Sequence, residues 1–331
     1  MKRNIAIIVL AGIILLITAL TASDSLLDQE QANTTPAATD TPVSTATPAH
    51  TATPVTTVTP IPPAFDGQQA YQDVVTQVDF GARTPGSEAH QKEIDWILSQ
   101  LQSADWQAEV QKTTYQGHEI DNIVAKRGSG SPWYILGAHY DSRMTADQDP
   151  NPQKRTQPVP GANDGASGVA VLLGLARSLP QNLDKQVWLL FIDAEDQGEI
   201  PGWDWTLGAR SFADQLTAKP DGVIILDMIG DANLDIYFEL QSNTTLEKQI
   251  WQVAADLGFS ENFIPTVKYA MLDDHVPFLE KGIPAVDIID FDYPYWHTTS
   301  DTPEHVSAAS LDAVGSTILA WLMQDNLDVG K

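Results

Sequence analysis

Short apolar segments rich in branched residues alternate with longer amphipathic segments over most of the chain. The short segments carry almost no polar residue, a pattern that predicts strands buried on both faces of a sheet. The longer segments repeat their apolar residues at helical spacing. Strands that alternate with helices indicate a mainly parallel sheet with helices on both sides. The predicted strands are Trp133–Ala138, Val187–Asp193, Gly222–Asp227 and Ala285–Asp290, and the predicted helices are Glu88–Leu101, Ala166–Leu179, Leu207–Leu216, Leu246–Leu257 and Ala308–Met323.

The alternation fills residues 64–331, and neither an internal repeat nor a second linker interrupts it. A stretch of roughly 265 residues is long but acceptable for a single α/β domain. We therefore predict one domain at residues 64–331 with an α/β fold. Its expected architecture is a three-layer αβα sandwich around a mainly parallel mixed sheet.

The first residues differ from the rest of the chain. Lys2 and Arg3 precede an unbroken apolar run from Ile5 to Ala22. A basic start followed by such a run predicts an export signal, and the run is just long enough to span a bilayer. Residues 1–25 are therefore predicted to be a signal peptide or an uncleaved signal anchor, and both remain open. Either alternative predicts an extracytoplasmic protein, secreted or anchored to the cell membrane.

A Thr- and Pro-rich segment separates this signal from the predicted domain. Between Asn33 and Pro63, threonine, proline and alanine alternate with almost no charge. Such a segment cannot bury enough apolar surface to offset the entropy lost on ordering. We therefore predict a disordered stalk at residues 26–63.

The charge and the missing cysteines narrow the range of partners and ligands. The 331 residues include 44 acidic and 18 basic side chains, a formal net charge of -26, and no cysteine. A negative field of this size repels phosphate backbones, which argues against nucleic acid as a partner. It tolerates a cation or a substrate that carries an amine. Without thiolates, any metal must be bound by His, Asp or Glu.

Acidic and imidazole side chains follow the predicted strands where the strands end, at the edge where open α/β sheets bind ligands. Each also fits an ordinary role: Asp164 as a helix N-cap, His139 as a core histidine, Glu195–Asp196 as a solvated strand end. Together, however, several carboxylates in one cleft would repel one another, and a divalent cation removes that repulsion. Oxygen and imidazole ligands suit a catalytic zinc site. The residues concerned are His139, Asp141, Asp164, Glu195, Asp196, Asp227 and His297.

Seven motifs, in this order along the chain, resemble those of metallopeptidase family 28. They are GARTPGSEAH, GAHYDSR, PGANDGASGVAVLLGLAR, FIDAEDQG, LDMIG, DDHVPFLEKGIP and YWHT. Several separate motifs in the right order are a far stronger signal than any one of them. The resemblance implies the zinc aminopeptidase-like α/β fold and a zinc-dependent enzyme, either an aminopeptidase or a glutaminyl cyclase.

The aminopeptidases of this family bind two zinc ions. The resemblance then implies that Asp164 bridges the two metals and that Glu195 is the general base. It also implies that Asp141 orients His139 from behind. The implied ligands are His139, Asp164, Asp196, Asp227 and His297, of which His139 and Asp227 belong to the second metal.

The glutaminyl cyclases keep one zinc, and the resemblance implies Asp164, Asp196 and His297 as its ligands. Glu195 remains the proton-transfer group, while Asp227 joins an acidic hydrogen-bond network. The implied substrate is a peptide or protein with a free N-terminal glutamine. That residue is cyclised to pyroglutamate with release of ammonia.

Two local features favour the cyclase. Asp273 stands where the peptidases commonly have serine, so it is a further catalytic candidate, and Trp296 directly precedes His297, as in the cyclases. Trp296, Trp203 and Trp205 are expected to wall the substrate pocket and exclude water. The two-zinc aminopeptidase is the alternative. A non-catalytic peptide-binding ectodomain is a third reading, but it predicts the loss of metal-site residues, and none is missing.

Overall fold

The structure is a computed structural model that describes residues 64–324. The predicted signal or anchor at residues 1–25 and the predicted stalk at residues 26–63 lie outside the described residues, as do residues 325–331. Within the described part of the chain, no helix combines the length and the apolar character needed to cross a membrane.

Six of the eight strands found in residues 64–324 form a central sheet. The strands are β1 (Gln107–Tyr115), β2 (His118–Arg127), β3 (Trp133–His139), β4 (Gln186–Ile192), β5 (Gly222–Asp227), β6 (Ile236–Glu239), β7 (Phe263–Tyr269) and β8 (Ala285–Ile289). The sheet order is β1–β2–β4–β3–β5–β8, and β6 and β7 pair separately. Strands β4, β3, β5 and β8 are parallel, whereas β2 pairs antiparallel with both β1 and β4. The predicted mainly parallel mixed sheet is therefore confirmed.

Helices cover both faces of this sheet. They are α1 (Gly67–Asp79), α2 (Glu88–Ser103), α3 (Ala166–Ser178), α4 (Leu207–Gln215), α5 (Thr244–Asp256), α6 (Val276–Glu280) and α7 (Ala308–Leu322). Helices α1, α2, α3, α5 and α7 contribute to one hydrophobic core, and α4 and α6 contribute to the other. This arrangement is the predicted three-layer sandwich.

Alternate residues of the central strands face the two helical layers. Leu136 of β3 and Leu189 of β4 lie in the larger core, whereas their neighbours Ile135 and Leu190 lie in the smaller one. All four side chains are buried. Because both faces are covered by helices, these strands need apolar residues at every position, which is why their sequences read as unbroken apolar runs.

The predicted elements begin and end within two residues of their observed bounds, but several elements were not predicted. These are β1, β2, β6, β7, α1 and α6. Strand β1 has no buried residue, because it lies at the edge of the sheet, and its exposed and half-buried positions carry mostly polar side chains. Helix α6 has only five residues, too few for a helical period to be visible.

Helix α3 packs close to the sheet because Gly168 has no side chain. A Cβ at this position would lie 2.2 Å from the carbonyl oxygen of Leu226 and 2.8 Å from Ala138 Cβ. The close approach holds the loop before α3, with Asp164, at the edge where β3, β4 and β5 end.

Candidate metal centre

Three side chains from distant parts of the chain converge at the carboxyl edge of the sheet. Asp164 comes from the loop before α3, Asp196 follows β4, and His297 follows β8. Nε2 of His297 lies 2.9 Å from Asp196 Oδ1 and 3.8 Å from Asp164 Oδ2. One ligand atom from each residue lies within 4.8 Å of the other two, and all three residues are buried.

The donor set of these three residues fits a zinc ion. Oδ2 of Asp164 and Oδ2 of Asp196 are buried without a hydrogen-bond donor. Two such carboxylates cost free energy unless a cation compensates their charge. Two carboxylates and an imidazole, all hard or borderline ligands, leave a tetrahedral zinc with one open position. The chemistry of these three residues therefore fits a zinc ion.

The pKa values of Asp196 and His297 reflect the same concentration of negative charge. Burial and the charge of Asp164 raise the pKa of Asp196 to about 6. Burial lowers the pKa of His297, but the charge of Asp196 and hydrogen bonds to Asp147 and Asp196 outweigh it and raise this pKa to about 9. The site therefore favours a positive charge at its centre, whether a proton or a metal ion supplies it.

Charged side chains behind the ligands hold them in place. Asp147 Oδ1 lies 3.3 Å from His297 Nδ1, and Arg143 Nε donates to the same oxygen at 2.8 Å. Arg143 Nη1 also donates to the carbonyl oxygen of Asp196 at 3.0 Å. On the other side, Asp301 accepts a hydrogen bond from the backbone N–H of Asp164 at 3.2 Å. Such partners orient metal ligands and raise their basicity.

A second group of possible ligands adjoins the first. His139 Nε2 lies 3.2 Å from Asp164 Oδ1 and 3.1 Å from Asp227 Oδ1. Asp141 Oδ1 lies 3.6 Å from His139 Nδ1, the side expected for an orienting residue. Asp141 also accepts the backbone N–H groups of Glu195 and Asp196 at 3.0 and 3.3 Å. Asp141 thus fixes the segment that carries the general-base candidate and one zinc ligand.

Glu195 lies beside the three-residue centre in a strongly acidic environment. Its side chain is buried, and one of its oxygens lies within 4.8 Å of carboxylate oxygens of Asp273 and Asp274. Burial raises its pKa well above the usual value, and the charges of Asp273 and Asp274 add to the effect. Burial and the charge of Asp273 likewise raise the pKa of Asp227 to about 7. A carboxyl group with a raised pKa can both accept and return a proton near neutral pH.

Backbone strain is concentrated at this edge of the sheet. Ala194, Met228 and His297 have positive φ angles of 51°, 46° and 55°. Non-glycine residues in this region cost about 1–3 kcal/mol each and persist where the surrounding structure requires them. Ala194 precedes Glu195, and His297 is itself a ligand candidate, so the strained positions aim the side chains of the site.

A pocket of about 200 Å³ opens onto these groups. Its acidic side includes Asp164, Glu195, Asp196, Asp227 and Asp273, and its apolar side includes Trp205, Met271, Leu272, Phe291 and Trp296. The apolar wall excludes water from the acidic groups that would otherwise be solvated.

The three predicted pocket tryptophans take different positions. Trp296 stacks on His297 with ring centroids 3.7 Å apart, and Trp205 stacks on the same ring at 5.9 Å. Trp203 instead stacks on His118, with ring centroids 3.7 Å apart, and does not line the pocket. The two tryptophans that line the pocket therefore also fix the orientation of a ligand candidate.

Comparison with known proteins links this geometry to a family. The model of peptidase family M28 matches residues 122–322, more than half of the chain. This chain belongs to peptidase family M28. The match spans the strand ends that carry the ligand candidates, so the predicted family and the zinc aminopeptidase-like fold are confirmed.

Relatives within this family carry two kinds of description. The chain is 29% identical to a glutaminyl-peptide cyclotransferase of Boiga irregularis, and the alignment covers 75% of the chain and 77% of the relative. The Porphyromonas gingivalis glutaminyl cyclase structure is 33% identical with a TM-score of 0.73, covering 78% of the chain and 98% of that structure. A Zn-dependent exopeptidase structure from Parabacteroides distasonis is 31% identical with a TM-score of 0.73 and the same coverage.

Several residues of this M28 site were not predicted from the sequence. Asp147, Arg143 and Asp301 support the ligands without standing at a strand end, so the strand-end pattern does not single them out. Phe291 forms an edge-to-face contact with Trp296 at 5.1 Å. A partial signal exists, because Arg143 belongs to the GAHYDSR motif and Phe291 lies shortly before YWHT.

Proposed function

We propose that this chain cyclises the N-terminal glutamine of peptides or proteins to pyroglutamate and releases ammonia. The observation that carries the proposal is the buried Glu195, which directly precedes the candidate zinc ligand Asp196 and has one oxygen within 4.8 Å of carboxylate oxygens of Asp273 and Asp274. Relatives described as glutaminyl-peptide cyclotransferase and glutaminyl cyclase cover most of the chain, which supports the same activity.

The pocket suits a single terminal residue. A volume of about 200 Å³ leaves room for one side chain of glutamine size together with its α-amine. The apolar faces of Trp205, Trp296 and Phe291 enclose the methylene groups, and the carboxylates opposite them attract the amine. Leu272 lines the pocket and has 52% of its surface exposed, so the pocket opens to solvent at this residue. The rest of a peptide substrate continues outside the pocket through this opening.

Glu195 moves the proton that the reaction requires. The α-amine nitrogen attacks the side-chain amide carbon, so a carbon–nitrogen bond forms and closes the five-membered ring. Glu195 accepts a proton from the attacking amine and returns it to the departing amide nitrogen, which leaves as ammonia when its bond to carbon breaks. Asp227 and Asp273 share the acidic environment of Glu195 and receive the departing ammonia.

Asp164, Asp196 and His297 would hold one zinc ion, which when bound supplies Lewis-acid polarisation of the amide carbonyl. Asp147 keeps the ring of His297 aimed at the other two ligands. Trp296 and Trp205 cover that ring from the pocket side, so water has little access to the reacting atoms.

A two-zinc aminopeptidase is a second candidate. His139, Asp164 and Asp227 also bring one ligand atom each within 4.8 Å of one another, and a structural neighbour is a Zn-dependent exopeptidase. Asp273 stands where the peptidases of this family commonly have serine, and this acidic neighbour of Asp227 supports the cyclase.

The two candidates differ in their products. The full chain, loaded with zinc, would be incubated with a glutamine-initiated peptide and with a leucine amide. We expect loss of one ammonia from the peptide, read by mass spectrometry, and no free leucine. Release of leucine with two zinc ions per chain would replace the cyclase with the aminopeptidase.

We also propose that residues 1–63 deliver the domain beyond the cytoplasmic membrane, as a signal or anchor followed by a stalk. The basic start and the apolar run of residues 5–22 support export. Cell fractionation with an antibody to the domain tests this proposal. A domain found only in the cytoplasm would contradict it.

A further inference from the structure

A cluster of buried ionisable side chains lies behind the acidic side of the pocket. His275 is fully buried at the start of α6, with Nε2 3.2 Å from Glu239 Oε2 and Nδ1 3.7 Å from Asp287 Oδ2. One atom each of His275, Asp287 and Asp273 lies within 4.8 Å of the others. Asp273 in turn approaches Glu195 within the same distance. The imidazole is thus connected to the proton carrier through two carboxyl groups.

Glu239 ties this cluster to the wall of the pocket. Its carboxylate accepts backbone N–H groups from Gln241 at 2.8 Å, Ser242 at 2.7 Å and Met271 at 2.9 Å. Gln241 Nε2 also donates to the carbonyl oxygen of Met271 at 2.5 Å. Glu239 therefore fixes both the end of β6 and the segment that leads into Asp273, and it holds one side of the His275 ring.

Most carboxylate oxygens around His275 have no hydrogen-bond donor. Both oxygens of Asp287, both oxygens of Asp274 and Oδ2 of Asp273 are buried without a hydrogen-bond donor. Burial and the charge of Asp273 raise the pKa of Asp287 well above its usual value, and a hydrogen bond between the two carboxyl groups adds to the effect. The His275 ring lies between Glu239 and Asp287, with Nε2 toward the first and Nδ1 toward the second.

We propose that His275 is a positioning residue: its ring holds Asp287 against Asp273 and so keeps the Asp273 carboxyl in place beside Glu195. Without the ring, Asp287 can turn away, and the Asp273 carboxyl that lies against it moves relative to Glu195. The proposal rests on the proposed function, since it takes Glu195 as the proton carrier.

Two amide variants test the role of each ring nitrogen. His275→Asn places an amide near the position of Nδ1, facing Asp287, whereas His275→Gln places one near Nε2, facing Glu239. We expect kcat to fall about 10–100-fold in the Gln variant, as is typical for groups that orient an active site, and less in the Asn variant. KM and zinc per chain should stay at wild-type values, because neither substrate nor metal touches His275.

A double variant separates positioning from general damage to the fold. If His275 acts through Asp287, kcat of His275→Gln/Asp287→Asn should lie within about threefold of that of Asp287→Asn alone, a coupling expected of residues in contact. The matched control is Asp73→Asn, another buried carboxyl group, which pairs with Arg177 near the C-terminal end of α3. It should lower thermal stability but leave kcat within about twofold, since distant sites act independently.

The results distinguish this proposal from the proposed function. Equal kcat in wild type, His275→Asn and His275→Gln would overturn the positioning role, as would a loss of kcat that only follows lost zinc. If the wild type releases leucine from the amide and no ammonia from the glutamine peptide, the cyclase proposal fails. The variants are then compared on leucine release, for which Glu195 is the general base, so the role of His275 is still tested.

Discussion

At the scale of single residues, the site depends on how the surroundings shift the pKa values of neighbouring carboxyl groups in different directions. Hydrogen bonds and charge from His139 lower the pKa of Asp164 despite its burial, whereas burial and nearby acids raise that of Glu195. One carboxyl group is thereby kept ionised as a ligand and another is kept able to carry a proton. Environments that separate the pKa values of adjacent acids in this way assign their roles.

Glu195→Gln tests this assignment directly. The amide cannot accept and return a proton, so kcat should fall by a factor on the order of 10²–10⁴. Zinc binding should be nearly unchanged, because Glu195 is not among the three candidate ligands. Turnover of glutamine peptide and zinc per chain by elemental analysis are the measurements. The control is Glu199→Gln, an exposed position on the same loop, and full turnover in Glu195→Gln would reject the assigned base.

At the scale of elements, the loop at residues 146–163 acts as a support for the metal centre. Gln148 donates its backbone N–H to the carbonyl oxygen of His297 at 3.2 Å, and Asp149 accepts the N–H and the hydroxyl of Thr299. Asp147 faces the His297 ring from the same loop. The loop thus binds both sides of the segment that carries a ligand candidate.

Asp147→Asn should weaken zinc binding more than Asp149→Asn does. The first variant removes the negative charge beside His297 Nδ1, for which a loss of about 10–100-fold in zinc affinity is typical. The second loosens the loop but leaves that charge. Zinc retained after dialysis against graded chelator concentrations gives the ranking, with His297→Ala as the reference for a lost ligand. Equal retention in the two Asn variants would show that loop anchoring alone matters.

Glu247 on α5 provides a pH-dependent test of the packing between α5 and β6. Burial raises its pKa to about 7, and the charge of Glu239 adds to this. Between about pH 4.5 and pH 7, Glu247 keeps its proton in the folded state but has lost it in the unfolded state. The contribution of Glu247 to stability therefore falls as pH rises through this range. Glu247→Gln keeps the oxygen that accepts the N–H of Glu239. We expect the midpoint of urea unfolding to be higher for the variant than for the wild type at pH 8, and equal for the two at pH 5.

Glu261→Gln, at an exposed position, is the control for the pH series. It should follow wild type at both pH values. If Glu247→Gln raised the urea midpoint equally at pH 5 and pH 8, the result would contradict the assigned pKa.

The sequence predicted the elements whose residues are buried on both faces and missed those that are not. Gly222–Asp227 was predicted with its observed bounds because every residue in it is buried. In contrast, β6 and β7 form a two-stranded sheet with exposed positions, and their pattern does not differ from that of a loop. The ligand candidates could be predicted because Asp196 closely follows a predicted strand and because Asp164 and His297 belong to motifs that resemble those of the family. Asp147 and His275 could not, because their roles arise from contacts between loops and elements that no spacing encodes.

At the scale of the whole molecule, the parallel strands bring residues from across the chain to one edge. Zinc bound there should stabilise the entire fold, because the unfolded chain has no equivalent site. At free zinc 100-fold above its Kd, mass action gives about 2.7 kcal/mol, which corresponds to a rise in Tm of roughly 5–10 °C. Differential scanning calorimetry of the chelator-treated chain with and without zinc measures this rise. An unchanged Tm would contradict a metal bound at the strand ends.

The separation of Asp164, Asp196 and His297 along the chain also has a consequence for biogenesis. No short fragment contains two of these residues close enough to capture an ion, so the metal is bound only once the chain has folded. If residues 1–63 act in export as proposed, the ion is acquired from the surroundings after translocation. The supply of zinc outside the cytoplasm, rather than the cytoplasmic metal pool, then determines what fraction of the molecules is active.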